Sequence, residues 1–508
     1  MKLAAVWCAT LVGTFGLPAM AATTEIGPTS DLSAEIAKLG PGDELVLQGG
    51  TYTLSAKLTI GVKGTAAAPI TIRSKDGEVA HVTRDASQNV INVEKTEYVL
   101  LNGLEVSGGS HGIRIDDSSF ITVEDCEIHH TEDVGLSANV PNSTYEGLTI
   151  RRNHIHDTGG TGEGMYLGCN NGGCTMFDSL IEGNYVHNTN GPTVQQGDGI
   201  ELKQGSYNNI IRDNVIHDTN YPCILVYGTA GKPVNLVERN AMWGCLDNAI
   251  QAEADVIIRN NIILGAGGDG IHNRNHQQNE VKDLTIVHNT VVNTGAAIRT
   301  QNVVGKVVIA NNALYSQNGN AISVAGDLAQ VTVKGNVGKG GMQGPSAGFD
   351  GSGDITADFE DADYTSKRNV YPKAGGKLIA AGDPTFAVED DFNGTPRAGS
   401  ADVGAYKFDG SGNPQPPVGP GFKNTPGGAG VGGSGAAGGG TGGGSGAMGG
   451  ASGSGAGSGN SGGSSGAKAG GSDEESGCGC RVVESQRERN SGWLFAVALL
   501  LLRRRRQS

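Results

Sequence analysis

The chain has 508 residues, among them 84 glycines, only 5% aromatic residues and a formal charge of -15 at neutral pH. An acid excess of that size argues against a nucleic-acid partner, but a local basic groove would still suit an anionic polysaccharide. Abundant glycine with few aromatics suits a β-solenoid that turns at glycine corners around a thin aliphatic core, although part of the glycine lies in a later linker.

Residues 1–22 carry one lysine, an apolar run and a small-residue exit, the pattern of a secretory signal peptide cut near Ala21 or Ala22. Export sets the remaining cysteines in an oxidising environment. The body, residues 23–408, is dominated by repetition. Asparagine recurs at Asn153, Asn184, Asn214, Asn240, Asn261, Asn289, Asn312 and Asn336, at spacings of 21 to 31 residues. Each sits in a pattern such as L-T-I-R-R-N-H-I-H-D-T, and after a variable loop comes a second apolar alternation such as G-M-Y-L or G-I-E-L. A period of that length marks a solenoid. The apolar alternations are short, have period two and are rich in Ile and Val, which excludes helical repeats. The expected fold is all-β: a single-stranded, right-handed parallel β-helix of about ten coils (coil count from the repeat length). The asparagine belongs at a tight turn, where it tolerates left-handed backbone and its amide bonds neighbouring backbone. Stacked about 4.8 Å apart, these amides form a ladder, with Leu104 and Cys126 holding the same position in earlier rungs.

Aligning the strand after the variable loop gives an inward set of Ile113, Leu136, Met165, Ile200, Ile224, Ile250, Ile271, Ile298 and Ile322. Alternation turns their neighbours outward. The predicted exposed ribbon carries Tyr166, then Glu201 and Lys203, Leu225 and Tyr227, Gln251 and Glu253, His272 and Arg274, and Arg299 and Gln301. Acids, bases and aromatics concentrated on one face beside the longest loops fit a sugar-binding groove. Glu163 and Asp198 stand two residues before the inward residue on neighbouring coils, about 5 Å apart in register, with Glu201 nearby. Converging carboxylates call for a cation, and Ca²⁺ favours such oxygen-rich sites; the alternative is that E-G and D-G are turn chemistry. Asp269 repeats the motif three coils beyond Asp198. His129, His156, His187 and His217 form a column that Trp243, Leu264, Val292 and Tyr315 continue, so it reads as structural stacking. Cys169 and Cys174 flank one loop, Cys223 and Cys245 fall on successive coils, and both pairs are candidate disulfides.

Residues 409–476 are Gly, Ser and Ala with a little Pro, a flexible tether. Residues 477–508 hold G-C-G-C-R with Cys478 and Cys480, an apolar run from Trp493 to Leu502, and Arg503 to Arg506. Ten apolar residues fall short of the roughly 20 of a spanning helix. This order of elements resembles the C-terminal sorting signal of myxobacterial surface proteins. The resemblance implies membrane contact through this anchor only and display at the cell surface, with processing near Cys478 or Cys480.

Asp31 to Tyr52 (D-L-S-A-E-I-A-K-L-G-P-G-D-E-L-V-L-Q-G-G-T-Y) and Gly64 to Ser74 (G-T-A-A-A-P-I-T-I-R-S) resemble the start of the chondroitinase-B and alginate-lyase group, within the pectate-lyase-like β-helix superfamily. With the coils, the likeness covers about residues 25–345. Asp391 to Tyr406 is similar to the closing segment of secreted bacterial β-helix proteins, and is expected to cap the last coil from about residue 385. The resemblance implies β-elimination of a uronic-acid polysaccharide, with acids holding Ca²⁺ and a lysine as base; the chain is expected to be a monomer. Lys203 is similar in place to that lysine, although Tyr227 stands where the family's arginine would fall. Tyr227, Tyr166 or His272 would be the base of a metal-free variant. Arg274 and Arg299 are the expected substrate-carboxylate clamps, with Glu253 and Tyr166 beside them. A glycoside hydrolase, a uronan epimerase and a non-catalytic glycan-binding or adhesin solenoid are the competing readings.

Overall fold

The computed structural model describes residues 21–277, 280–293, 295–362, 368–410 and 412–413. The signal segment up to residue 20, the linker beyond residue 413, and Cys478 and Cys480 lie outside the described residues. Among the described residues no helix is long and apolar enough to cross a membrane.

The chain winds into a right-handed parallel β-helix of about 11 turns, with three short strands in each. A first sheet stacks 13 parallel strands, from Thr23–Ile26 through Thr149–Arg151 to Val331–Lys334. A second carries the strands that follow the asparagine turn, such as His154–His156 and Ala241–Trp243. A third carries the strands after the variable loop, such as Met165–Leu167 and Ile200–Leu202. Alternation points one residue of each pair inward, and Ile150, Ile155 and Met165 meet in one continuous aliphatic core. Ile113 to Ile322, the expected inward set, pair coil to coil in unbroken register and are fully buried. The five-residue helix Leu32–Ile36 adds Leu32 and Ile36 to this core.

The ladder closes the corner between the first and second sheets. Asn240 Nδ2 donates to Asn261 Oδ1 (3.0 Å) and to the Ile211 carbonyl (2.9 Å), while its Oδ1 accepts from the amide and backbone N–H of Asn214. The left-handed residue, however, is the one before each ladder asparagine. Arg152, Gly183, Asp213, Arg239, Asn260, His288, Asn311 and Gly335 have φ between 52° and 69°. The asparagine itself is selected for its amide, which satisfies backbone groups that the turn leaves open. A shorter series at the corner where the chain enters the first sheet runs from Ser179 through Asn209 to Asn235. Cys169 is bonded to Cys174, and Cys223 to Cys245.

The closing segment does not sit over the last coil. It starts at Ile355–Asp358, well before residue 385, and lies along the outer face of the second sheet. Phe359, Tyr371, Phe392 and Tyr406 pack there on Trp243, Leu264, Val292 and Tyr315. Buried Arg397 ties the segment down through Asn260 Oδ1 and the carbonyls of Gly404 and Ala405. The histidine column therefore changes character where the cover begins. His129, His156, His187 and His217 stack ring on ring at 5.0–5.2 Å, and the later rungs beneath the cover are apolar or aromatic.

Candidate functional site

Glu163 and Asp198 end the loops that feed neighbouring strands of the third sheet, and a glycine follows each. Gly164 and Gly199 are not in the left-handed region; a Cβ on either would strike the next coil's backbone and a core side chain at 2.5–2.7 Å. E-G and D-G are thus close-approach positions, where a glycine lets the coils stack and holds the acid in register. The Gly164 N–H donates to the Asp198 carbonyl at 2.9 Å. Glu201 follows one residue after inward-facing Ile200.

These three carboxylates are buried, with ligand oxygens within 4.8 Å of one another. Glu163 Oε2 accepts from the Thr161 hydroxyl at 2.6 Å. Glu163 Oε1, both Asp198 oxygens and Glu201 Oε2 are buried without a hydrogen-bond partner. Burial, reinforced by Glu201, pushes the Glu163 carboxyl up to about 7. Burial and the two neighbouring glutamates push Asp198 well above the carboxylate range. Lys203 adds the nearest positive charge, ion-paired to Glu201 Oε1. Its Nζ lies 4.4 Å from the Tyr166 ring centroid and 5.0 Å from that of Tyr227. One ammonium cannot neutralise three buried carboxylates, and unpaired oxygens at this depth are costly. A hard divalent cation with oxygen ligands fits the donor set.

Burial works to strip the Lys203 proton, but the Glu201 charge and the flanking tyrosines outweigh it and hold the ammonium above the ordinary lysine value. Tyr166 and Tyr227 are likewise held protonated, chiefly by burial. Neither phenol is suited to act as a base at neutral pH. The ribbon is also not the exposed groove expected of it: Glu201, Lys203, Leu225, Tyr227, Gln251 and Glu253 point away from the core yet are buried. Loops roof them. Gln277 Nε2 donates to Asn170 Oδ1 at 3.0 Å, joining the segment near His276 to the disulfide loop of Cys169 and Cys174. The His276 ring lies 5.4 Å from that of Tyr227.

Other expected members stand apart. His272 lies three coils beyond Glu201 in the same row, too far to share its chemistry, and bonds Asp269 and Gln301. Arg299 is committed to Asp269 at 2.6 Å, so it is no free clamp. Asp269 is accounted for by these two partners. Arg274 lies beyond Glu253 on the row of Lys203, and its Nε is buried without a hydrogen-bond partner.

A family model described as "Pel9A-like, right handed beta helix region" matches residues 16–182, and one described as "Right handed beta helix region" matches residues 179–337. Pectate lyase PEL9 of Emericella nidulans is 26% identical over 208 residues, 38% of this chain and 43% of that protein. The chain thus matches less than half the length of this curated relative. Among solved structures, the complex of XylC with xylose superposes with a TM-score of 0.51 at 11% identity, covering 77% of this chain and 99% of the other. Pectate lyase Pel9A gives a TM-score of 0.47 at 15% identity, covering 76% and 96%. At such identities the likeness to the XylC structure is one of fold.

Proposed function

The chain belongs to the pectate-lyase-like right-handed β-helix superfamily, and from that premise we propose that it is a polysaccharide lyase, cleaving a uronic-acid-containing glycan by cation-assisted β-elimination. The observation that carries this reading is the cluster of Glu163, Asp198 and Glu201, with four orphaned oxygens beside a buried lysine. Ca²⁺ held there would neutralise the uronate carboxylate and stabilise the charge that builds on it. Lys203 is the base: its Nζ takes the proton beside the uronate carboxylate. The freed electron pair forms the new carbon–carbon double bond as the glycosidic C–O bond breaks. For that, the hold of Glu201 on the Lys203 proton has to be shared with the cation, since a lysine paired only to glutamate stays charged. Tyr166 and Tyr227 fix Nζ between their faces, and the protonated Tyr227 hydroxyl, 3.4 Å from Glu201 Oε1, is a proton source for the leaving oxygen. The roof joining Asn170 to Gln277 has to part to admit a glycan. Residues 477–508 complete the proposal by displaying the enzyme at the cell surface.

One observation favours a second reading. A glutamic acid with its pKa near 7, such as Glu163, is poised as a general acid, and carboxylates this close suit a retaining glycoside hydrolase. The test is to incubate the protein with alginate, pectate and glycosaminoglycans in Ca²⁺ or in EDTA, following ultraviolet absorbance of unsaturated uronate. A lyase gives a Ca²⁺-dependent rise, and Lys203→Ala lowers its rate by about 10²–10⁴-fold. Reducing ends without absorbance would mean hydrolysis. Silence on both readouts would leave a glycan-binding solenoid.

A further inference from the structure

The histidine column contains more than stacking requires. His154, two residues before His156 on the same strand, points to the same side and brings its Nε2 within 2.8 Å of His187 Nε2. Glu127 Oε1 lies 3.1 Å from His156 Nε2 and 3.4 Å from His154 Nδ1. The nitrogens of His154, His156 and His187 lie within 4.8 Å of one another. The donors come from three successive coils in register: Glu127 pairs with His154, and His156 with His187.

The protons do not divide comfortably among these atoms. His156 Nδ1 faces Asp157 Oδ2 at 2.7 Å while its Nε2 faces Glu127 Oε1. A neutral imidazole has one N–H, so it cannot serve two carboxylate oxygens at once. Glu127 Oε1 is in turn shared by two rings, and His154 and His187 oppose nitrogen to nitrogen. One cation taken up by a nitrogen of each ring replaces the proton that His154 and His187 otherwise contest. The Asp157 contact then becomes the carboxylate behind a ligating histidine that fixes its tautomer.

We propose that His154, His156 and His187 form a binding site for a Zn²⁺-class transition metal, separate from the carboxylate cluster, with Glu127 as the carboxylate beside the His154 and His156 rings. Three imidazoles are the borderline donors such ions select, whereas Glu163, Asp198 and Glu201 offer only oxygen. Zn–N bonds of about 2.0–2.1 Å at tetrahedral angles separate neighbouring nitrogens by about 3.3 Å. The His154–His187 pair has to open by a few tenths of an ångström, and the parallel His156 and His187 rings have to turn so that their nitrogens converge. The side chains are partly exposed, so the ion enters from solvent without disturbing the core.

The test titrates the full chain, prepared without a polyhistidine tag and stripped of metal, with ZnCl₂ and with CoCl₂. The expected result is one Zn²⁺ per chain, a raised Tm, and the intense visible bands of four-coordinate Co²⁺. His154→Gln and His187→Gln, which each remove a direct ligand, weaken Zn²⁺ binding by more than the roughly 10–100-fold that loss of an outer-shell partner costs. Glu127→Gln, at the most exposed of the four positions, weakens it with the least risk to folding, which circular dichroism checks for all three. Uptake persists in excess Ca²⁺. The proposal is overturned by an absence of stoichiometric uptake, by binding that survives all three substitutions, or by displacement of Zn²⁺ by Ca²⁺.

Discussion

At the scale of single residues, the buried carboxylates dominate. Asp198 has two orphaned oxygens and feels both Glu163 and Glu201, so without a cation its charged form is strongly disfavoured. Asp198→Asn removes one carboxylate and keeps the shape. In EDTA the variant is expected to melt at a higher temperature than the parent chain. Added Ca²⁺ should raise the parent's Tm and leave the variant's unchanged, as differential scanning calorimetry would measure. An equal Ca²⁺ response in both would place the ion elsewhere. The acids were legible in the sequence because two stand at one repeat position, two residues before an inward side chain. His154 was not: a single histidine outside a regular column gives no periodic signal.

At the scale of strands and turns, the ladder supplies the clearest expectation. Asn240→Ala deletes two donated bonds and strands one amide N–H and the backbone N–H of Asn214 in a dry corner, the other amide N–H keeping the Ile181 carbonyl. Each buried group left unpaired costs about 1–3 kcal/mol. The variant should lose about 3–5 kcal/mol in urea melts, with coil packing on both sides weakened. Period and strand length made the coils readable, since inward and outward follow from alternation alone. Cover does not. Alternation sets Lys203 and Tyr227 on the outer face, but the roof above them depends on Gln277 meeting Asn170 across 107 residues through loops of irregular length. The left-handed turn residues escaped for a related reason. Arg152, Asp213 and His288 share no side-chain chemistry, only a place before asparagine.

For the molecule as a whole, the long closing segment couples the solenoid to pH. His288 is buried beneath it and accepts from Asn311 Nδ2 at 3.1 Å; burial, with Arg397 nearby, pushes its pKa down to about 3. The folded state keeps this ring neutral, while the unfolded chain protonates it near the ordinary value of 6.5. Its contribution is complete above pH 6.5 and drains away as pH falls from there toward 3. Tm measured between pH 7 and 4 should decline, and His288→Gln should flatten that decline; an unchanged slope would assign the acid sensitivity to other groups. The segment has a second consequence. It fits a fixed run of rungs, holding Asp390 against Arg239 at 2.9 Å and Arg397 against Asn260. A coil duplicated upstream of Val215 would slot into the stack and leave those clasps untouched. One inserted among the covered rungs would slide Trp243 and Leu264 out from under their partners. The molecule thus has a growth zone at one end and a frozen length at the other.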